Sequence, residues 1–140
     1  MKEQSSHSSI KVPLRHLVNE LLAGLQPEAM KRKNIILNGI SGDLSIEADE
    51  NLLAYVLWNL INSALNSTKK ECIHIVAPDG GDRMMICLKD VGSCFYQTIS
   101  EEYRKVQYAA EELGGSIRID NDAVYGSNIS FSILNRKMAA

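Results

Sequence analysis

Residues 51–68 read NLLAYVLWNLINSALNST, eighteen residues without one charge. Leu53, Val56, Leu57, Leu60, Ala64 and Leu65 recur at three- and four-residue steps, which predicts a helix with one wide buried face. Tyr55, Asn59, Ser63 and Asn66 recur at the same step and make a second face, polar but uncharged. A solvated helix face normally carries Lys and Glu. Two readings of this amide stripe are open. It lines a cleft where small polar groups meet a ligand or a metal's water shell, or it belongs to a buried helix whose amides bond to neighbouring backbone.

Working outward, Asp49 suits the N-cap of this helix, because its carboxylate accepts from the first free backbone N–H groups. Upstream, Pro13 suits the first turn of another helix, with Leu14, Leu17, Val18, Leu21, Leu22 and Leu25 on its apolar face. Pro27 is expected to restart that helix, which runs to about residue 33. Residues 35–37 and 44–46 read as short strands joined by the turn-rich NGISGD. Downstream, strands at 72–77 and 84–89 flank PDGGD, a strong hairpin signal. After a loop containing Gly92, Ser100 caps a helix that buries Tyr103, Val106, Ala110 and Leu113 and is stopped by Gly114 and Gly115. Strands at 116–120 and 128–134 close the chain around DNDAVYGS.

Three helical segments and about six short, largely hairpin-connected strands predict an α+β fold. Its form is a two-layer α/β sandwich, with helices on one face of a mixed, mostly antiparallel sheet. Residues 1–11 are expected to be a disordered leader, and 12–137 a single domain.

Composition narrows the function. A net charge of −2 argues against a nucleic-acid binder, and the one basic run, 31–33, reads as a solvated helix end. No apolar run reaches the roughly 18 residues that cross a bilayer, so no membrane partner is expected. MKEQSSHSS lacks the apolar segment of a secretory signal, which predicts a cytoplasmic location. Cys72 and Cys87 read as small core residues of strands, and Cys94 follows the glycine loop. His7, His16 and His74 lie far apart without ligand spacing, so no metal ligand is assigned.

The order of elements and three motifs resemble the ATP-binding domain of sensor histidine kinases, a branch of the GHKL group with the Bergerat nucleotide fold. The resemblance covers the chain from about Leu14 to Leu134. Family sequences carry an Asn-box helix of the type N-L-x-x-N-A-x-K-[FY]-T, matched here by NLINSALNST from Asn59 to Thr68. They carry a strand ending in D-x-G-x-G, matched by DVGSC from Asp90 to Cys94. Their last helix ends in Gly-Gly, here Gly114 and Gly115, followed by a strand, a G-[ST] turn at Gly126 and Ser127, and a final strand.

What the resemblance implies is a nucleotide site. Asp90 would accept a hydrogen bond from the adenine amino group, and Gly92 would let the backbone approach the base. Asn59 would lie near the reacting phosphate and Ser127 near the base pocket. Without a nucleotide, Asp90 and Gly92 equally form the turn after a strand, and Ser127 equally closes a hairpin.

The departures from the family pattern bear on the chemistry. The amide that ligates Mg²⁺ in relatives is replaced by Ser63, whose hydroxyl reaches less far. Asn62 does not substitute, since one residue turns a side chain about 100° around a helix. The basic residue near the phosphates is replaced by Asn66, and the second glycine by Cys94. No glycine occurs from Ser93 to Leu113, where relatives place a mobile lid and a glycine-rich phosphate loop. Arg104 and Lys105 read as a solvated face. No H-box histidine is present, so a phosphoacceptor would have to lie on another chain.

The expectation is therefore a degenerate domain with no catalytic residue and no metal ligand, acting in signalling through a protein partner of the two-component type. Asn59, Ser63, Asp90, Gly92 and Ser127 mark an adenine-sized remnant. No cofactor is required, and weak ATP or ADP binding with or without Mg²⁺ stays open. The alternatives are an active ATP-binding domain, with Ser63 on Mg²⁺, and a nucleotide-free module related to the second domain of histidine phosphotransferases. In that last case Trp58, Phe95 or Tyr96 would fill the cleft.

Overall fold

The computed structural model describes residues 9–66, 70, 72–80, 83–91, 101–122 and 126–134. The long uncharged segment forms helix α2, Glu50–Asn66, and buries Leu53, Val56, Leu57, Leu60, Ile61, Ala64 and Leu65. Asp49 caps it as expected, its Oδ1 accepting from the backbone N–H of Asn51 at 3.0 Å and of Leu52 at 3.3 Å. Helix α1 spans Leu14–Lys31 and α3 spans Glu101–Glu112.

Two sheets accompany the helices. Strand β1, Ser9–Pro13, pairs antiparallel with β3, Ser45–Asp49. The larger sheet has the order β2-β4-β6-β8-β7, with β2 at Ile35–Asn38, β4 at Cys72–Val76 and β6 at Arg83–Val91. The last two are β7, Gly115–Asp122, and β8, Gly126–Leu134, while the short β5, Asp79–Gly80, pairs with β6. Among the described residues β2 and β4 run parallel and the other pairs of this sheet are antiparallel.

Alternation along the strands places the core. Ile73 and Ile75, Ile86 and Leu88, and Ile129, Phe131 and Ile133 are buried at every second position, on the face covered by the helices. Each such aliphatic or aromatic side chain contributes about 1.5–3 kcal/mol by leaving water. The expected two-layer sandwich is thus observed among the described residues.

Four details differ from the sequence reading. Residues 9–11, assigned to the leader, form β1 because its backbone finds a partner in β3; residues 1–8 lie outside the described residues. The two strands around NGISGD do not pair with each other. β2 joins β4, β3 joins β1, and Ile40 between them is fully buried, with the Gly39 N–H on the Ile75 carbonyl at 2.7 Å. Pro27 lies inside a continuous α1 instead of restarting it. Pro27 has no N–H to donate to the Ala23 carbonyl, and both residues lie on the exposed side of the helix. Among the described residues the strands number eight, since β1 and the short β5 carry no pattern of their own.

Candidate functional site

The stripe on α2 has the expected position and unequal exposure. Tyr55 and Asn66 are exposed, while Asn59 and Ser63 are half-buried. Asn59 donates its side-chain amide to the Tyr55 carbonyl at 2.7 Å. The stripe thus resolves between its two readings in part: one amide is satisfied by backbone of its own helix. Ser63 lies one turn beyond Asn59, on the same side.

Asp90 and Ser127 are placed by their backbone. β6 and β8 pair with Leu88 opposite Ile129 and Val91 opposite Ser127. Between those pairs β6 advances from 88 to 91 and β8 only from 129 to 127, so β6 carries one extra residue, a bulge that takes in Lys89 and Asp90. Bulges re-aim side chains at the ends of strands and recur beside functional sites. The fold therefore brings Asp90 and Ser127 onto adjacent strands at one end of the sheet, and α2 packs across β6 and α3. Gly92 and Cys94, the Ser100 cap, and Phe95 and Tyr96 lie outside the described residues. Trp58, the third side chain considered as a cleft filler, lies against Gly24 of α1.

Sequence reasoning missed the bulge, which no local pattern announces, since it exists only as a mismatch between two strands. It also missed Asn34, 5% exposed, whose amide donates to the Leu65 carbonyl at 3.3 Å and closes the C-terminal end of α2. Half-burial raises the Tyr103 phenol on α3 above its ordinary value by desolvation. Among the described residues no three His, Cys, Asp or Glu side chains are arranged to hold a metal ion. A separate cavity of about 270 Å³ lies between the β1–β3 ribbon, Leu52 of α2 and Glu112 of α3, and neither Asn59 nor Ser63 lines it.

No protein-family model matches the sequence, and no curated protein sequence does. Solved structures do match. The histidine kinase AdeS of Acinetobacter baumannii superposes with a TM-score of 0.80 at 13% identity, over 91% of this chain and 67% of that one. Full-length ShkA in complex with AMPPNP gives 0.78 at 21% identity, over 90% of this chain and 31% of that one. The catalytic domain of histidine kinase ThkA gives 0.72 at 20% identity, over 91% of this chain and 95% of that domain. ThkA in complex with the response regulator protein TrrA gives 0.71 at 19% identity, over 92% of this chain and 42% of that one. The chain thus spans nearly all of an isolated catalytic domain and about a third of full-length ShkA. At these identities the likeness establishes architecture alone: this chain has the fold of histidine kinase catalytic domains.

Proposed function

We propose that the chain is a degenerate histidine-kinase-type domain, a non-catalytic signalling module that acts through protein contacts. The observation that carries this reading is a length. β6 ends at Val91 and α3 begins at Glu101, leaving residues 92–100 for any lid over the phosphates, with Gly92 their only glycine. Phosphoryl transfer depends on positioning and on stabilising charge. A chain with so short a connection, Ser63 in place of the metal-binding amide and Asn66 in place of a cation lacks the means for both. The turned-back amide of Asn59 supports the same reading.

An adenine-sized pocket marked by Asp90, Gly92, Ser127 and Asn59 retains weak adenine-nucleotide binding that owes little to Mg²⁺. The partner belongs to two-component signalling, a class supported by the likeness to ThkA, which was solved with a response regulator. We place this activity in the cytoplasm. Consistent with that, no helix among the described residues is long and apolar enough to cross a membrane. Titration calorimetry with Mg-ATP beside an ATPase assay tests the proposal. No turnover and no Mg²⁺-dependent affinity are expected; sub-millimolar Mg²⁺-dependent binding with turnover would overturn it.

The active-domain reading draws on one observation, the placement of Asp90 and Ser127 on adjacent strand ends in a fold that ShkA shares in its AMPPNP complex. Turnover that disappears in Asp90→Asn would favour it.

A further inference from the structure

On the sheet face opposite its buried Ile73 and Ile75, β4 carries a pair of soft donors that the nucleotide motifs do not involve. Cys72 and His74 are two positions apart with Ile73 between them, so the strand pleat sets them side by side on one face. The Cys72 Sγ lies 3.6 Å from the His74 Nε2. Both side chains are half-buried, and Cys72 is a free thiol.

We propose that Cys72 and His74 form a two-donor site for a zinc-class d¹⁰ cation. With Zn–S near 2.3 Å and Zn–N near 2.0–2.1 Å, a tetrahedral ion holds its sulfur and nitrogen ligands about 3.6 Å apart. The pair has that separation before any ion arrives. A linear two-coordinate ion would need the same atoms about 4.3–4.4 Å apart, the sum of those bond lengths, which selects the tetrahedral class. In the metal-free protein the pair is held by a weak thiol–imidazole contact, so little reorganisation accompanies binding.

The surroundings fit an open site and not a closed structural one. Among the described residues no third His, Cys, Asp or Glu is arranged to complete the set, so the remaining positions take water or a small thiol. Cys87 pairs with Val76 on the neighbouring strand, is 7% exposed, and directs its Sγ at the Ser130 Oγ, 3.8 Å away. Lys89 lies opposite His74, and because it is exposed its ammonium has room to stay in water, away from the ion. Ile35 and Leu37 on the edge strand β2, paired with Cys72 and His74 and 59% and 45% exposed, flank the donors with apolar surface. Binding releases the thiol proton to solvent, leaving a thiolate on the ion.

The test is titration of the purified chain with Co²⁺ as a spectroscopic stand-in for zinc, followed by displacement with Zn²⁺. A thiolate-to-cobalt charge-transfer band at one ion per chain is expected. Cys72→Ser should remove the band and His74→Ala should weaken binding about a hundredfold, the gain from a second donor at high effective concentration. Cys87→Ser and Cys94→Ser should retain it. Absence of the band, or its survival unchanged in Cys72→Ser or His74→Ala, overturns the proposal. A measurement on the unmutated chain stands independently of how the variants fold. Zn²⁺ should protect Cys72 from iodoacetamide, read by peptide mass, and equal alkylation with and without Zn²⁺ counts against the site.

Discussion

Asn59 donates its side-chain amide to the carbonyl of Tyr55, one turn earlier on the same helix. That carbonyl already accepts the i+4 backbone N–H of a regular helix, so the side-chain bond adds little cohesion. Replacing Asn by Ala at a helical site gains about 0.5 kcal/mol of intrinsic propensity, while a half-exposed hydrogen bond is worth about 0.5–1.5 kcal/mol. These offset. Asn59→Ala should shift stability by less than about 1 kcal/mol in urea unfolding. A loss above about 2 kcal/mol would instead place Asn59 in a buried polar network.

The nucleotide remnant predicts a pattern across ligands more than a single affinity. If recognition rests on the base alone, adenosine, ADP and ATP should bind within about threefold of one another, a spread of about 0.7 kcal/mol. Mg²⁺ should change none of them, because each phosphate remains in water. Asp90→Asn should weaken all three alike, since a neutral amide oxygen accepts from the adenine amino group less strongly than a carboxylate and its NH₂ end cannot accept at all. Ser63→Asn should leave them unchanged, as one restored amide supplies neither cation nor lid. Competition of the three ligands against a fluorescent adenine analogue measures the series; ATP bound tenfold tighter than adenosine contradicts it.

The parts of the fold that were legible are those written in consecutive residues. The α2 face, its Asp49 cap and the PDGGD hairpin follow from periodicity and turn chemistry, and all three are present. The parallel pairing of β2 with β4 and the β1–β3 ribbon were not legible, because each joins segments more than thirty residues apart. Nothing in SIKVP distinguishes a strand from a leader until SIEAD lies beside it. The candidate site divides in the same way. Asn59 and Ser63 follow from helical spacing, whereas the bulge at Lys89 and Asp90 depends on how β8 is registered. Asn34 escaped notice because its partner is a carbonyl thirty-one positions away.

The two glycines that end α3 play different parts, and substitution separates them. Gly114 has φ of +80° with open space where a Cβ would go, so Gly114→Ala meets only backbone strain of about 1–2 kcal/mol. At Gly115 a Cβ would collide with the Ser132 carbonyl and lie 2.9 Å from Cε1 of Phe131, the largest fully buried side chain. A rigid sheet backbone on one side and a packed ring on the other leave nothing to give way. Gly115→Ala should cost about 3 kcal/mol, more than its neighbour, through overpacking. Urea midpoints at unchanged slope test the order, and equal costs would show that β7 and β8 separate easily.

Tyr103 gives the fold an alkaline limit. Burial disfavours its phenolate, so the phenol titrates higher in the folded chain than in the unfolded one. As pH rises past about 10, the unfolded chain loses this proton first and is stabilised relative to the fold. The contribution is therefore constant at neutral pH and is lost as pH climbs from the unfolded toward the folded value. Tyr103→Phe removes the ionisable oxygen while keeping the ring beside the core. The variant and the unmutated chain should show parallel stability below about pH 9 and diverge above it, the variant falling less steeply. Thermal unfolding across that range reads the difference, and curves parallel throughout would mean that the hydroxyl ionises freely in the folded chain.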